Sequence, residues 1–271
     1  MPAGPRTIER IAVEVDGDGE PVVMIHGLGG TTNTFTPILP AFARHRRVRL
    51  DLPGSGRSGR IGGPLSIELF RDAVLKCMRH LGLGKAHVVA HSMGTIVAAH
   101  LAAAEPDTVA SLALFGPLLA PPEPARAGIK ARAQKARQEG MQTVAEALLQ
   151  SALSSETRNR RPVAVAFVRE SLMGQDPDGY ARTCEALAEA RAADTSRIAC
   201  PTLLVTGEED AVAPPGSVRA MAQKIAGSRV EVLRGCGHWT PVEKPDECIS
   251  LLKHFLERRT PWRTSSSPTY A

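Results

Sequence analysis

The stretch Val88-Val89-Ala90-His91-Ser92-Met93-Gly94-Thr95-Ile96-Val97 constrains this chain more than any other. A short apolar, β-branched run stops at Ser92, and a helical pattern of small residues, 93–104, begins at once. A strand that turns directly into a helix lifts the side chain at the corner clear of the sheet. The first free N–H groups of the helix, and the positive end of its dipole, face whatever charge develops there. Strand and helix can approach closely only if the corner's neighbours are small. Gly94 meets that need, and Ala90 meets it with one methyl more than glycine, an excess expected to be tolerated with at most a slight tilt of the corner. Small residues around a serine are common in α/β proteins, so the pentapeptide gains meaning from the rest of the chain.

Strand and helix patterns alternate on both sides of the corner. Residues 8–15 alternate apolar and polar side chains (Ile8, Ile11, Val13, Val15), the pattern of an edge strand, closed by Asp16-Gly17-Asp18-Gly19. Residues 21–25 form a continuous apolar run, as expected of a strand buried on both faces. The loop His26-Gly27-Leu28-Gly29-Gly30 follows, rich enough in glycine for backbone N–H groups to point at a ligand. A helix shortened or kinked by Pro37 and Pro40 is predicted over 34–43. A strand at 48–52 runs into the tight loop 53–58, and Ser66 reads as the N-cap of a helix carrying Ile67, Phe70, Val74, Cys77, Met78 and Leu81. Strands at 86–90 and 111–115 flank the corner helix. Such alternation implies a mainly parallel sheet covered on both faces.

The alternation stops where Pro117, Pro121, Pro122 and Pro124 cluster. Residues 117–196 read as helices without a strand, an insertion into the core. Strand character returns at 202–206 and 230–233, and a last helix is predicted over 246–258. The expected organisation is therefore a core formed by 1–116 and 197–259, a helical insertion at 117–196, and a polar, disordered tail at 260–271.

With 271 residues the chain is long enough for one large α/β domain, and 43% hydrophobic with 23% charged residues is ordinary for a globular protein. The net charge of +5 comes with only 4% aromatics and no basic stripe interleaved with them, which argues against nucleic acid as a partner. An anionic small molecule remains compatible with that charge. Cys77, Cys184, Cys200, Cys236 and Cys248 are scattered and never paired as C-x-x-C, arguing against a disulfide framework and a zinc site and for a reducing compartment. His91, Ser92 and His100 interrupt the most apolar stretch, and the N-terminus lacks the apolar core of a signal peptide. A cytoplasmic protein without a membrane partner is expected. Oligomeric state leaves no readable trace.

A serine at such a corner becomes a nucleophile when a histidine takes its proton and a carboxylate orients that histidine. The expected chain order is Ser, Asp or Glu, then His, each just beyond the C-terminal end of a strand. Asp210 follows the strand at 202–206 within Gly207-Glu208-Glu209-Asp210, and His238 follows the strand at 230–233 within Gly235-Cys236-Gly237-His238-Trp239. Ser92, Asp210 and His238 are therefore the candidate catalytic residues. Taken singly, Asp210 also fits a helix-capping carboxylate and His238 an ordinary loop histidine. Glu208 and Glu209 are alternative carboxylates in what reads as a turn facing elsewhere. His26 is expected to brace the glycine loop, His91 and His100 to pack, and Cys236 to be a buried thiol. Five basic residues within 126–137 read as a solvated face, the alternative being that they attract an anionic substrate. Spacing alone places none of Arg126, Arg160, Arg161 or Arg182 in the site.

Together, residues 23–30 (Val-Met-Ile-His-Gly-Leu-Gly-Gly), 51–58 (Asp-Leu-Pro-Gly-Ser-Gly-Arg-Ser), 90–94, 207–210 and 235–239 resemble the serine-hydrolase branch of the α/β-hydrolase superfamily. Residues 173–180 followed by Cys184-Glu185-Ala186-Leu187 are similar to the cap of 3-oxoadipate enol-lactonases. Cys236-Gly237-His238-Trp239 is instead similar to the meta-cleavage-product hydrolases, which break C–C bonds. Ala90 departs from the pattern of both. The resemblance implies the α/β-hydrolase fold: a mostly parallel central sheet, helices on both faces and a helical cap inserted after the sixth strand. It further implies an oxyanion hole from the backbone N–H groups of Leu28 and Met93, substrate contacts at Gly27 and Trp239, and neither metal nor cofactor. The expected activity is cleavage of a small carboxylic ester or lactone, an anionic one being compatible with the net charge, through an acyl-enzyme. C–C bond hydrolysis, or a non-catalytic ligand receptor on the same scaffold, are the alternatives.

Overall fold

A computed structural model describes residues 4–58 and 62–257; the tail at 260–271 lies outside the described residues. Eight strands form one sheet: β1 (Gly4–Ile8), β2 (Ile11–Asp16), β3 (Glu20–Ile25), β4 (His45–Leu50), β5 (Ala86–His91), β6 (Val109–Phe115), β7 (Thr202–Gly207) and β8 (Ser228–Leu233). Their spatial order is β1-β2-β4-β3-β5-β6-β7-β8. The β1–β2 and β2–β4 pairs are antiparallel and the others parallel, as the alternation of strands and helices implies.

The single edge strand expected over 8–15 is a hairpin. The chain reverses at Glu9 and Arg10, both with positive φ (46° and 72°), and pairs Ile8 with Ile11. Both isoleucines lie on the core side, 3% exposed, so the apolar pattern runs across the reversal without recording it. A second difference lies at Thr32–Phe42, which winds as a 3₁₀ helix in place of the predicted helix over 34–43. Pro37 and Pro40 remove two backbone donors within one short segment, so a continuous α-helical ladder cannot form. The segment still starts on a cap: Thr31 Oγ1 accepts the Asn33 N–H while Thr34 Oγ1 accepts the Thr31 N–H.

Successive residues of the central strands feed two cores, as strand pleating requires. Val23, Ile25, Val88, Ala90, Leu112 and Leu114 pack with α1 (Ile67–His80) and α2 (Met93–Ala104). Ser66 caps α1 by accepting the Leu69 N–H at 3.1 Å, and Phe70 and Val74 are fully buried beneath it. Val22, Met24, Val89, Ala113 and Phe115 face the other way, toward Phe35, Ile38 and Phe42 of the 3₁₀ segment. Both faces are thus covered, and each fully buried large apolar side chain contributes about 1.5–3 kcal/mol. Ala90 is fully buried among the first set, so its methyl is part of the core.

Between β6 and β7 the described chain contains α3 (Glu123–Glu139), α4 (Met141–Ala152), α5 (Ser155–Arg160), α6 (Pro162–Met173) and α7 (Pro177–Ala188), and no strand. This block rests on the loops at the C-terminal ends of the strands. His238 N–H donates to Ala152 O at 2.7 Å, Ser171 Oγ donates to Gly29 O at 2.8 Å, and the Gln175 side chain spans Gly29 O and the Gly56 N–H. After β7 come α8 (Pro215–Ala222), α9 (Thr240–Glu243) and α10 (Pro245–Glu257), the last burying Cys248, Leu252 and Phe255 in the second core. No helix among the described residues is long and apolar enough to cross a membrane.

Candidate active site

Strand order reverses between β3 and its neighbours β4 and β5, and open α/β sheets bind ligands at the C-terminal edge beside such a point. Ser92 leaves β5 there. Its φ of 52° and ψ of −125° lie in a region costly for any residue but glycine, held by the abrupt entry into α2. Two glycines permit the packing. A Cβ on Gly27 would meet Ser92 Cβ at 2.6 Å, and one on Gly94 would collide with the carbonyl oxygens of Ile25 and His26. Corner, glycine loop and β3 therefore lie in direct contact.

His238 Nε2 lies 2.8 Å from Ser92 Oγ, and His238 Nδ1 lies 2.9 Å from Asp210 Oδ2. Asp210 Oδ1 accepts the N–H groups of Val212 and Ala213, both at 2.8 Å. Burial is the largest single influence on Asp210 and raises its pKa. The His238 charge and hydrogen bond, with those two backbone donors, outweigh it and hold the carboxyl below its usual range. An ionised carboxylate only accepts, so His238 carries its proton on Nδ1 and Nε2 is free to accept from Ser92. All three residues are buried, at 8%, 2% and 6% exposure for Ser92, Asp210 and His238. A hydroxyl, an imidazole and a carboxylate in this sequence can take a proton from the hydroxyl as it attacks an electrophile.

Of the three acidic residues after β7, Asp210 is the one that meets the histidine. Glu208 accepts the Gly235 N–H, and Glu209 accepts the Ser155 N–H from the inserted helices. His26 braces the glycine loop: Nδ1 donates to Gly27 O at 2.7 Å and Nε2 accepts the Leu52 N–H at 2.9 Å. Burial pushes its pKa down and keeps it neutral. His91 is buried, with Nε2 donating to His238 O at 2.9 Å and its ring beside those of His238 and Trp239. Burial, with a smaller contribution from His238, lowers its pKa to about 3. His100 donates to Arg191 O away from the site. Burial raises the Cys236 thiol pKa, leaving it protonated.

A cavity of about 360 Å³ opens over Ser92 and His238, walled by Leu28, Leu118, Ile129, Tyr180 and Trp239 among others. Leu28 and Trp239 line it, and Gly27 lies below, packed on Ser92. The Leu28 and Met93 N–H groups meet no acceptor among the described residues. A larger cleft of about 580 Å³, between the β1–β2 hairpin and α1, holds no serine–histidine pair. Glu20, His45 and His87, whose donor atoms lie within 4.8 Å of one another, form the one metal-type grouping among the described residues. It sits at the N-terminal ends of β3, β4 and β5, the far edge of the sheet from Ser92.

Two residues escape the reading of spacing. Glu243, fully buried, accepts the N–H groups of Ser154, Gly237 and Trp239, tying the histidine loop to the inserted helices. Arg132, in the run read as a solvated face, lines the cavity. Its signal was present: buried Ile129, Ala133 and Ala136 mark one stripe of α3, and position 132 falls inside it. Arg126 and Arg182 bond backbone carbonyls of Ala188 and Ala190 and of Gly63.

Known proteins place this architecture. A family profile described as alpha/beta hydrolase fold matches residues 20–245. The chain is 28% identical, over 89% of its length and 92% of the relative's, to the (E)-2-((N-methylformamido)methylene)succinate hydrolase of Acinetobacter baylyi. It is 31% identical, over 94% and 93%, to the 2-hydroxy-6-oxononadienedioate/2-hydroxy-6-oxononatrienedioate hydrolase of Klebsiella pneumoniae. The structure of the enol-lactonase from Burkholderia xenovorans superposes with a TM-score of 0.88 at 29% identity, covering 94% of this chain and 100% of that one. With its sheet, its inserted helices and nearly its whole length matched, the chain belongs to the α/β-hydrolase fold family.

Proposed function

We propose that the protein is a serine hydrolase of small carboxylic esters or lactones. One observation carries the reading: Ser92 Oγ, His238 and Asp210 form a hydrogen-bonded chain with contacts of 2.8 and 2.9 Å, opening on a largely apolar cavity. Ser92 Oγ attacks the substrate carbonyl while His238 Nε2 takes its proton, and Asp210 stabilises the imidazolium through Nδ1–H. The negative oxygen of the tetrahedral intermediate is received by the Leu28 and Met93 N–H groups, each worth about 3 kcal/mol. The C–O bond breaks, His238 protonates the departing oxygen, and an acyl-Ser92 ester remains. Water, deprotonated by His238, then attacks the acyl carbon, and Ser92 recovers its proton as the acid leaves. On this reading residues 117–196 act as a cap that excludes water and sets substrate size, with Trp239 at the wall and Gly27 supporting the floor. The mechanism calls on neither metal nor cofactor.

Active-site labelling with a fluorophosphonate tests the proposal, followed by a panel of short aryl esters and enol-lactones. The adduct is expected on Ser92, and Ser92→Ala is expected to abolish turnover. No hydrolysis across the panel, or turnover that survives Ser92→Ala, would overturn it. A second reading, hydrolysis of a C–C bond in a vinylogous diketo acid, has support in the Klebsiella relative and in Trp239 beside His238. Ring-cleavage dienoates added to the panel separate the two. Thermal stabilisation by ligand without product would favour a receptor.

A further inference from the structure

The cap wall of the cavity holds two polar groups, Arg132 and Tyr180, that have only the weak sulfur of Cys184 beside them. Arg132 Nε and the Tyr180 hydroxyl are both shielded from solvent, and neither meets an oxygen or nitrogen acceptor among the described residues; only the Cys184 sulfur, a weak acceptor, lies beside them. They come from adjacent helices, Arg132 from α3 and Tyr180 from α7, and both line the cavity that contains Ser92 and His238. The rest of the lining is mainly aliphatic side chains, prolines and alanines.

Arg132 differs from the other cations of its helix. Arg126 pairs with Glu123, Lys130 with Glu189, Lys135 with Glu139, and Arg137 with Asp178 and Glu185. No carboxylate among the described residues pairs with Arg132. A guanidinium stays charged at any physiological pH, so a half-buried one without a counter-charge is costly. Cys184 lies beside both groups, but it cannot supply the missing charge. Burial raises its thiol pKa to about 11, leaving it neutral. Burial likewise raises the Tyr180 phenol, which stays protonated and can donate. Two donors, one of them positive, thus face an apolar chamber with no acceptor of their own stronger than a neutral thiol. That is the complement of a carboxylate: the planar fork binds its two oxygens, and the hydroxyl adds a third bond.

We infer that Arg132 and Tyr180 form an anion subsite, and that the substrate is an ester or lactone carrying a free carboxylate remote from the scissile carbonyl. This rests on the serine-hydrolase reading and names its substrate class. The carboxylate docks on the cap, the scissile carbonyl then meets Ser92, and binding at one end positions the other.

The experiment compares p-nitrophenyl half-esters of succinate, glutarate and adipate with the matching ω-amides, which keep the shape and lose the charge. A charge-assisted bond in such a site is worth about 1.5–3 kcal/mol, so wild-type kcat/KM should favour the best acid by about 10- to 100-fold. Arg132→Gln should pull the acid-to-amide ratio toward unity, mainly through KM. Arg132→Lys should restore part of it, and Tyr180→Phe should lower it less than Arg132→Gln does. Equal hydrolysis of acid and amide by the wild type, or an acid-to-amide ratio that Arg132→Gln leaves unchanged, would overturn the inference. A binding arm keeps the two readings apart. Glutarate should raise the melting temperature of Ser92→Ala protein, and Arg132→Gln in that background should abolish the rise. Hydrolysis of the neutral esters without any such rise would remove the anion subsite and leave the hydrolase standing. A rise that depends on Arg132, with no ester cleaved and Ser92 unlabelled, would do the reverse.

Discussion

Replacing Asp210 by asparagine preserves shape and removes one acceptor, and the geometry dictates which one. Oδ1 accepts from Val212 and Ala213 at 2.8 Å each, and Oδ2 accepts from His238 Nδ1 at 2.9 Å. An amide has a single oxygen. With that oxygen toward the two backbone N–H groups, its NH₂ faces the histidine. Turned the other way, its NH₂ faces two donors, leaving both unsatisfied. Each unsatisfied buried donor costs about 1–3 kcal/mol, so the first orientation wins by at least about 1 kcal/mol. His238 must then accept at Nδ1, which moves its proton to Nε2 and points it at Ser92 Oγ. On the serine-hydrolase reading His238 is the base, and a base that already holds the proton cannot take another. The expected loss in kcat is about 10,000-fold, the size this change has in a serine-protease triad, with KM little altered. Steady-state hydrolysis of a short aryl ester measures it, and a ¹⁵N–¹H spectrum of the imidazole reports the tautomer. A kcat within about tenfold of wild type would refute the orientation argument.

Three further predictions concern stability. Glu243→Gln leaves at least one of three backbone donors facing an NH₂ group and should cost about 2–4 kcal/mol in urea unfolding; an unchanged midpoint would contradict its bridging role. Because Ser92 holds φ at 52°, Ser92→Gly should be more stable than Ser92→Ala by about 1 kcal/mol, reversing the usual order, and a less stable glycine variant would show the corner to be unstrained. Buried His91, with a folded pKa of about 3, stays neutral as the unfolded chain takes up a proton near ~6.5, so stability falls as pH drops through that range. From about pH 7.5 to pH 5 the loss is about 2 kcal/mol, and His91→Gln should remove that share of the slope. Buried His26 acts with the same sign.

The parts legible in the sequence are those governed by local rules. The change from strand to helix period at Ser92, the glycine loop after β3 and the placement of Asp210 and His238 after β7 and β8 each depend on a few adjacent residues. The hairpin at Glu9-Arg10 was hidden because Ile8 and Ile11 share a face on either side of the turn. The 3₁₀ segment was half visible in Pro37 and Pro40, whose missing donors count only once the helix geometry is chosen.

Sequence by itself determined the alternating architecture, the inserted helices and the chain order of Ser92, Asp210 and His238 beyond their strands, because periodicity and turn chemistry act over a few residues. Tertiary structure decided which of Glu208, Glu209 and Asp210 reaches the histidine, that the Ala90 methyl belongs to the core, and that Glu243 ties two loops together. It also decided that Arg132, alone among the five cations of its helix, turns to the cavity without a counter-charge. Those outcomes depend on how helices rotate and pack against partners distant in sequence, and no local pattern carries that information.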